Sequence, residues 1–215
     1  MYSSNILAHR GVWSERDHAN GYAALKKAIE LGFGIETDVR DLNGRLVVSH
    51  DPPRSEHHLA FEDVLAMLQN STAQPRVALN IKSDGLQRWV KELLAVRFLN
   101  PTNFFVFDMS VPDTLGYLRE GVPFYCRVSE CEPEPMFMND SVGVWVDNFS
   151  GEFDQVEISK SLLDGGKRVA FVSPELHGRT HEDVWLSMRG KELHKYPAFE
   201  LCTDFPIEAQ RFFGA

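Results

Sequence analysis

Residues 33–52 read FGIETDVRDLNGRLVVSHDP. Two apolar runs, 33–39 and 46–49, are separated by Asp41-Leu42-Asn43-Gly44, and Asn-Gly is a strong hairpin-turn signal. Within the first run Glu36 and Asp38 stand two residues apart. On a strand that spacing puts both carboxylates on one face, where they can grip one cation. An edge strand showing two carboxylates to water would carry the same tripeptide. The second run ends in His50-Asp51, and the two prolines that follow cannot continue a central strand. One short stretch thus offers two acidic ligands and an imidazole near strand ends.

Elsewhere, apolar runs alternate with segments of helical spacing. Strands are expected at 5–8, 76–81, 103–107, 123–128, 142–146, 168–172 and 198–201. Helices are expected at 20–31, 61–68, 86–96, 111–120, 159–164, 182–188 and 207–213. Phe61, Val64, Leu65 and Leu68 share one helical face, and Trp89, Leu93 and Val96 are read as inward positions of the third helix. Pro133 and Pro135 mark an irregular link. Roughly eight strands alternating with helices imply parallel βα units, and near-continuous apolar strands are those of a sheet covered on both faces. Eight such units closing on themselves make a TIM (β/α)8 barrel, a single α/β domain over residues 1–215. A doubly wound open sheet is the alternative. Its dinucleotide-binding version lacks support, because no Gly-x-Gly-x-x-Gly follows the first strand.

Composition narrows the function classes. The chain has 215 residues and a net charge of -9, which argues against nucleic-acid binding, since that needs a basic field. A phosphate-bearing small molecule stays compatible, because a divalent cation reverses the local sign. No apolar run reaches membrane-spanning length and no signal-peptide pattern is present, so a cytoplasmic protein without stable membrane anchoring is expected. Cys126, Cys131 and Cys202 are odd in number and lack Cys-x-x-Cys spacing. They fit a reducing compartment and are read as buried small apolar residues. His18, His57, His58, His181 and His194 are read as surface residues, and Trp13, Trp145 and Trp185 as core or rim packing.

In a barrel, functional groups gather at the C-terminal ends of strands. Those ends carry His9 and Arg10, Glu36 and Asp38, His50, Asn80 and Lys82, Asp147 and Asn148, Glu175 and His177, and Thr203 and Asp204. Polar residues scattered at random would not keep landing on one rim.

The ordered set Ala-His-Arg-Gly (8–11), Glu-Thr-Asp-Val (36–39), Leu-Val-Val-Ser-His-Asp (46–51) and Cys-Thr-Asp-Phe-Pro (202–206) resembles the glycerophosphodiester phosphodiesterase family, a TIM-barrel group. The resemblance is dense over residues 6–52 and returns at 79–82 and 200–206; the middle of the chain is compatible with it. It implies that His9 and His50 are the two catalytic histidines. Glu36 and Asp38 would hold a divalent cation, usually Mg2+ or Ca2+, and Arg10 and Lys82 would lie near the phosphate. The chemistry agrees: a hard cation held by oxygens offsets charge on the non-bridging oxygens, guanidinium suits phosphate, and two imidazoles can divide acid and base work. His9 is assigned as base and His50 as acid.

Two departures matter. The family's third acidic ligand is replaced by Asn80, whose carbonyl oxygen can still ligate but brings no charge; Asp147 is the candidate to compensate. Members also carry an inserted segment after His-Asp that shapes the glycerol pocket, and only residues 52–60 lie there, so the pocket is expected to be built differently. Glu175, His177 and Arg179, with Asp147, are the candidates for contact with the rest of the substrate, such as sugar hydroxyls. The expected activity is metal-dependent hydrolysis of a small phosphodiester. The alternatives are a lyase that leaves a cyclic phosphate, and a lapsed enzyme that now binds a phosphorylated ligand.

Overall fold

A computed structural model of the chain describes residues 1–54, 57–73, 75–96 and 101–214, with the side chains of Val96 and Pro101 outside the described part. Its strands are β1 (Ile6–His9), β2 (Gly34–Leu42), β3 (Arg45–Val48), β4 (Val77–Ile81), β5 (Phe104–Phe107), β6 (Tyr125–Val128), β7 (Gly143–Val146), β8 (Val169–Val172) and β9 (Phe199–Thr203). Its helices are α1 (Tyr22–Glu30), α2 (Phe61–Gln69), α3 (Gln87–Val96), α4 (Val111–Glu120), α5 (Gln155–Asp164), α6 (Glu182–Gly190) and α7 (Pro206–Phe213).

Eight strands run parallel in the order β5-β4-β2-β1-β9-β8-β7-β6, and β3 pairs antiparallel with the outer end of β2. The ends of this series meet through a single bridge, Val106 to Phe124, which nearly closes a TIM barrel. The hairpin turns on Asn43 (φ 49) and Gly44 (φ 79), the left-handed pair that a two-residue turn between twisted strands requires. Seven helices cover the outside; among the described residues, β6 and β7 are joined by an irregular segment in place of a helix. A pocket of about 220 Å3, open to solvent, lies against the β5–β6 seam, lined by Val111, Phe124, Met136 and Phe137 among others.

Period-2 alternation sorts the strand side chains. Leu7, Ala78, Phe105, Phe107, Tyr125, Trp145, Ala170 and Cys202 fill the barrel interior. Phe105 stacks on Tyr125 at 3.6 Å and Phe107 on Trp145 at 3.9 Å, so aromatic rings occupy one half of the bore and small residues the other. The floor is ionic. Glu200 Oε1 accepts from Arg76 Nε at 2.8 Å and from Arg168 Nη2 at 2.5 Å, and Tyr125 Oη donates to Glu200 Oε2 at 3.2 Å.

Helix ends follow local chemistry. Ser110 caps α4, accepting from the Asp113 amide, and Gly121 ends it in the left-handed conformation at φ 69. Asp154 caps α5 from the Glu157 amide, so this helix begins four residues before the expected 159. Leu86, just before α3, and Val90 and Leu94 on it are buried, whereas Trp89 is exposed and Leu93 half-buried. The expected inward set was one stripe out of phase: two apolar stripes overlap on this helix, and the core takes the i, i+4, i+8 stripe. The third member of the expected set, Val96, lies outside the described side chains. Two further corrections concern single residues. His181 is buried, packed against Trp185 and Phe205. Cys131 is exposed on the β6–β7 link.

Candidate functional site

The same alternation that fills the bore places polar residues at its mouth. Two residues beyond Leu7 comes His9, two beyond Ala78 comes Asn80, and two beyond Cys202 comes Asp204. Glu36 pairs in register with His9 on one side and Ala78 on the other, and Asp38 pairs with Asn80. The loop after β1 turns sharply. Arg10 lies at φ 57 and Gly11 at φ 92, where a Cβ would come within 2.5 Å of the Ala24 carbonyl carbon. Only glycine fits that approach to α1, and the turn leaves the Arg10 side chain over the mouth.

His9 is held from two sides. Its Nδ1 is 2.6 Å from Asp204 Oδ1 and its Nε2 is 3.8 Å from Glu36 Oε2. A carboxylate only accepts, so Nδ1 donates to Asp204, and in the neutral ring the Nε2 lone pair is left free. Asp38 is fully buried; its Oδ2 accepts from Asn20 Nδ2 at 2.7 Å and lies 3.0 Å from Arg10 Nε, while Lys82 Nζ is 3.6 Å from Oδ1. Burial, and then the neighbouring Asp38 carboxylate, push the Glu36 pKa up to about 7, against the opposing pull of His9, Arg10 and Lys82.

Three oxygens in this cluster are buried without a hydrogen-bond partner: Glu36 Oε2, Asp38 Oδ1 and Asn80 Oδ1. Buried acceptors are normally satisfied. Two carboxylates and an amide carbonyl on adjacent strands are hard donors of the kind Mg2+ and Ca2+ take. The set depends on Asn80, because among the described residues no three His, Cys, Asp or Glu side chains gather as a metal site. Asp147 is engaged elsewhere on the rim. It lies four strands along the barrel from β2, where its Oδ1 is 2.7 Å from His177 Nε2 and accepts from the Asn148 amide at 2.9 Å.

His50 stands apart from this cluster. Its side chain is half exposed, with Nδ1 2.8 Å from Asp51 Oδ1. It lines a cleft of about 760 Å3 together with Arg10, Asn20, Ser49 and Arg54, so Arg10 connects the buried carboxylates to the cleft. On the far side of the mouth, Asp108 links Lys82 at 3.4 Å to Arg127, whose guanidinium lies over the exposed Phe149 ring. Phe149 meets His177 edge-on at 5.1 Å, and Arg179 donates to the Asn148 carbonyl. Glu175 is half-buried with its side chain turned inward; its Oε1 accepts from Thr203 Oγ1 and from the Asp204 amide.

Asn20, Asp108, Arg127 and Asp204 had no assigned role in the sequence reading. Asp204 was legible as a rim position, but its contact with His9 spans 195 residues. Asn20 fell inside an expected helix; it adopts φ 64 ahead of α1, which frees its amide to reach Asp38. Nothing in the local sequence singles out Asp108 or Arg127.

No family model matches the sequence, and comparison with curated proteins finds no match. Comparison of structures does. A candidate glycerophosphodiester phosphodiesterase from Galdieria sulphuraria superposes with a TM-score of 0.74 at 16% identity, over 98% of this chain and 97% of that one. A glycerophosphodiester phosphodiesterase from Agrobacterium tumefaciens gives 0.66 at 16% identity over 98% and 99%. A glycerophosphoryl diester phosphodiesterase from Parabacteroides distasonis gives 0.69 at 11% over 97% and 85%. The fold is that of glycerophosphodiester phosphodiesterase structures. It is retained where few residues are shared, because a barrel needs the right pattern of apolar positions more than particular residues. Among the described residues, no helix is long and apolar enough to cross a membrane.

Proposed function

We propose that the protein is a metal-dependent phosphodiesterase that hydrolyses a small glycerophosphodiester-like substrate with His9 and His50 as base and acid. The observation that carries this reading is the clamp on His9. Asp204 accepts the hydrogen bond of its Nδ1–H at 2.6 Å, while its Nε2 faces a cluster in which three buried oxygens accept no hydrogen bond. The barrel shared with phosphodiesterase structures supports it.

Each group's part follows from its chemistry. A divalent cation, Mg2+ or Ca2+, on Glu36, Asp38 and Asn80 would supply positive charge beside the non-bridging oxygens of the phosphate. Arg10 and Lys82 bind those oxygens, since each keeps donors beyond the one directed at Asp38. His9 Nε2 accepts the proton of the attacking hydroxyl. Asp204 stabilises the imidazolium that results, as a buried carboxylate beside a catalytic imidazole does. His50 protonates the departing alkoxide from the cleft it shares with Arg10. Asp147, His177 and Arg179, on the opposite side of the mouth, meet the alcohol group. If a substrate hydroxyl attacks in place of water, the product is a cyclic phosphate, which phosphorus NMR distinguishes.

One feature favours a second reading. Asp38 is already neutralised by Arg10 and Lys82 and hydrogen-bonded by Asn20. A protein that only binds a phosphorylated ligand would keep such a site without needing a cation. A screen of glycerophosphodiesters with Mg2+, Ca2+ or chelator decides between them. The enzyme reading expects turnover that chelation removes and that His9→Ala and His50→Ala each reduce. Glycerol phosphate binding insensitive to chelator, with no turnover of any diester, would establish the binding protein.

A further inference from the structure

We infer that Glu175 is a positioning residue for His9, acting through the backbone of Thr203 and Asp204; the inference rests on the proposal that His9 is the base. The chain of contacts is continuous. Glu175 follows β8, and its Oε1 accepts both the Thr203 hydroxyl and the Asp204 amide at 3.1 Å. Thr203 Oγ1 in turn accepts the Phe205 amide at 3.0 Å. These bonds fix the turn that leaves β9, and from that turn Asp204 reaches His9 Nδ1 at 2.6 Å.

The position of the carboxylate argues that it is more than a cap. The Glu175 side chain is only 8% exposed, and its Oε2 atom is buried with no hydrogen-bond partner. That oxygen lies 3.9 Å from His181 Nδ1, in a ring packed between Trp185 and Phe205. Burying a carboxylate is costly unless specific contacts compensate. Here those contacts converge on the two residues that carry the His9 partner. A carboxylate facing the substrate would instead have an oxygen open to the mouth.

The orienting partner of an imidazole sets which nitrogen carries the proton. With Asp204 fixed, neutral His9 holds its proton on Nδ1 and offers Nε2 to the reaction. With the turn loosened, the ring is free to adopt the other tautomer, which cannot accept a proton at Nε2.

The test reads the tautomer directly. Imidazole nitrogens are observed by long-range proton–nitrogen NMR at a pH where the rings are neutral, with His9→Gln identifying the His9 signals. Wild type is expected to show the Nδ1–H form. Glu175→Ala, and Glu175→Asp, which keeps the charge but is one methylene too short, are expected to show a mixture. Glu175→Gln keeps an acceptor at Oε1 and is expected to restore the wild-type spectrum. On the best diester found, Glu175→Ala should lower kcat about 10–100-fold, the scale on which outer partners act, with KM little changed. An unchanged His9 spectrum in folded Glu175→Ala or Glu175→Asp overturns the inference, as does a loss confined to KM, which would make Glu175 a substrate contact. If the tautomer responds but wild type turns over no diester, positioning stands and the hydrolase reading is the one that fails.

Discussion

Asp38 and Asn80 stand opposite one another in register on β2 and β4, and the Oδ1 atom of each is buried without a hydrogen-bond partner. One is charged and the other is not. That difference sets the strength of any cation site here, because affinity for hard cations follows the number of charged ligands. Asn80→Asp should tighten Mg2+ or Ca2+ binding by roughly tenfold or more, and Asp38→Ala should abolish it. Calorimetric titration of both metals into the three proteins checks the order; equal affinity in wild type and Asp38→Ala would exclude these residues as the site.

Glu36 gives a pH dependence of stability in metal-free protein. Its pKa is raised from 4.5 to about 7 in the fold, chiefly by burial and then by Asp38. A carboxyl whose folded pKa is raised favours the fold while it is neutral. Its contribution is fully present below pH 4.5 and is lost as pH rises towards 7. Glu36→Gln should therefore be more stable than wild type at pH 8, by roughly 1–3 kcal/mol, with the advantage shrinking below pH 7. Denaturant melts of both proteins between pH 4.5 and 8 would show it. An advantage that grows on acidification would reverse the sign and refute the account.

The two histidines should differ in what their neighbours contribute. General acid–base groups supply about 10²–10⁴-fold in rate, so His9→Ala and His50→Ala should each fall in that range. Asp204→Asn should cost nearly as much as His9→Ala, because the 2.6 Å contact fixes the ring. Asp51→Asn should cost little, because the His50–Asp51 pair is open to water. Steady-state kinetics of the four variants tests the contrast.

The ionic floor of the barrel should be costly to break. Glu200 is fully buried between Arg76 and Arg168. Removing it leaves the buried Arg76 guanidinium uncompensated, so Glu200→Ala should lose about 3–5 kcal/mol. Equilibrium urea unfolding gives the value directly, and a loss below 1 kcal/mol would show that the floor relaxes around the change.

The barrel and the buried part of the candidate site were legible because both are written in period-2 alternation. Leu7 and His9, and Gly34, Glu36 and Asp38, differ only in polarity along one face, and a reader of the sequence can follow that face to the strand end. What escaped notice depends on closure. Asp204 reaches His9 only after β9 has come to lie beside β1, and Glu175 reaches Asp204 only because β8 neighbours β9. His181 was misread for a related reason: Trp185 lies one turn along on α6, but Phe205, which packs on the same ring, comes from the start of α7. The phase error on α3 is of another kind. Where two apolar stripes overlap, composition alone does not say which one the barrel takes.

The seam between β5 and β6 has a mechanical consequence. One bridge joins these strands, no helix follows β6 among the described residues, and a pocket open to solvent sits beside Phe124. Local opening starts where few hydrogen bonds hold and water has access. The ring should therefore part on this side first, while the wall formed by β2, β1 and β9 still keeps His9 and Asp204 together.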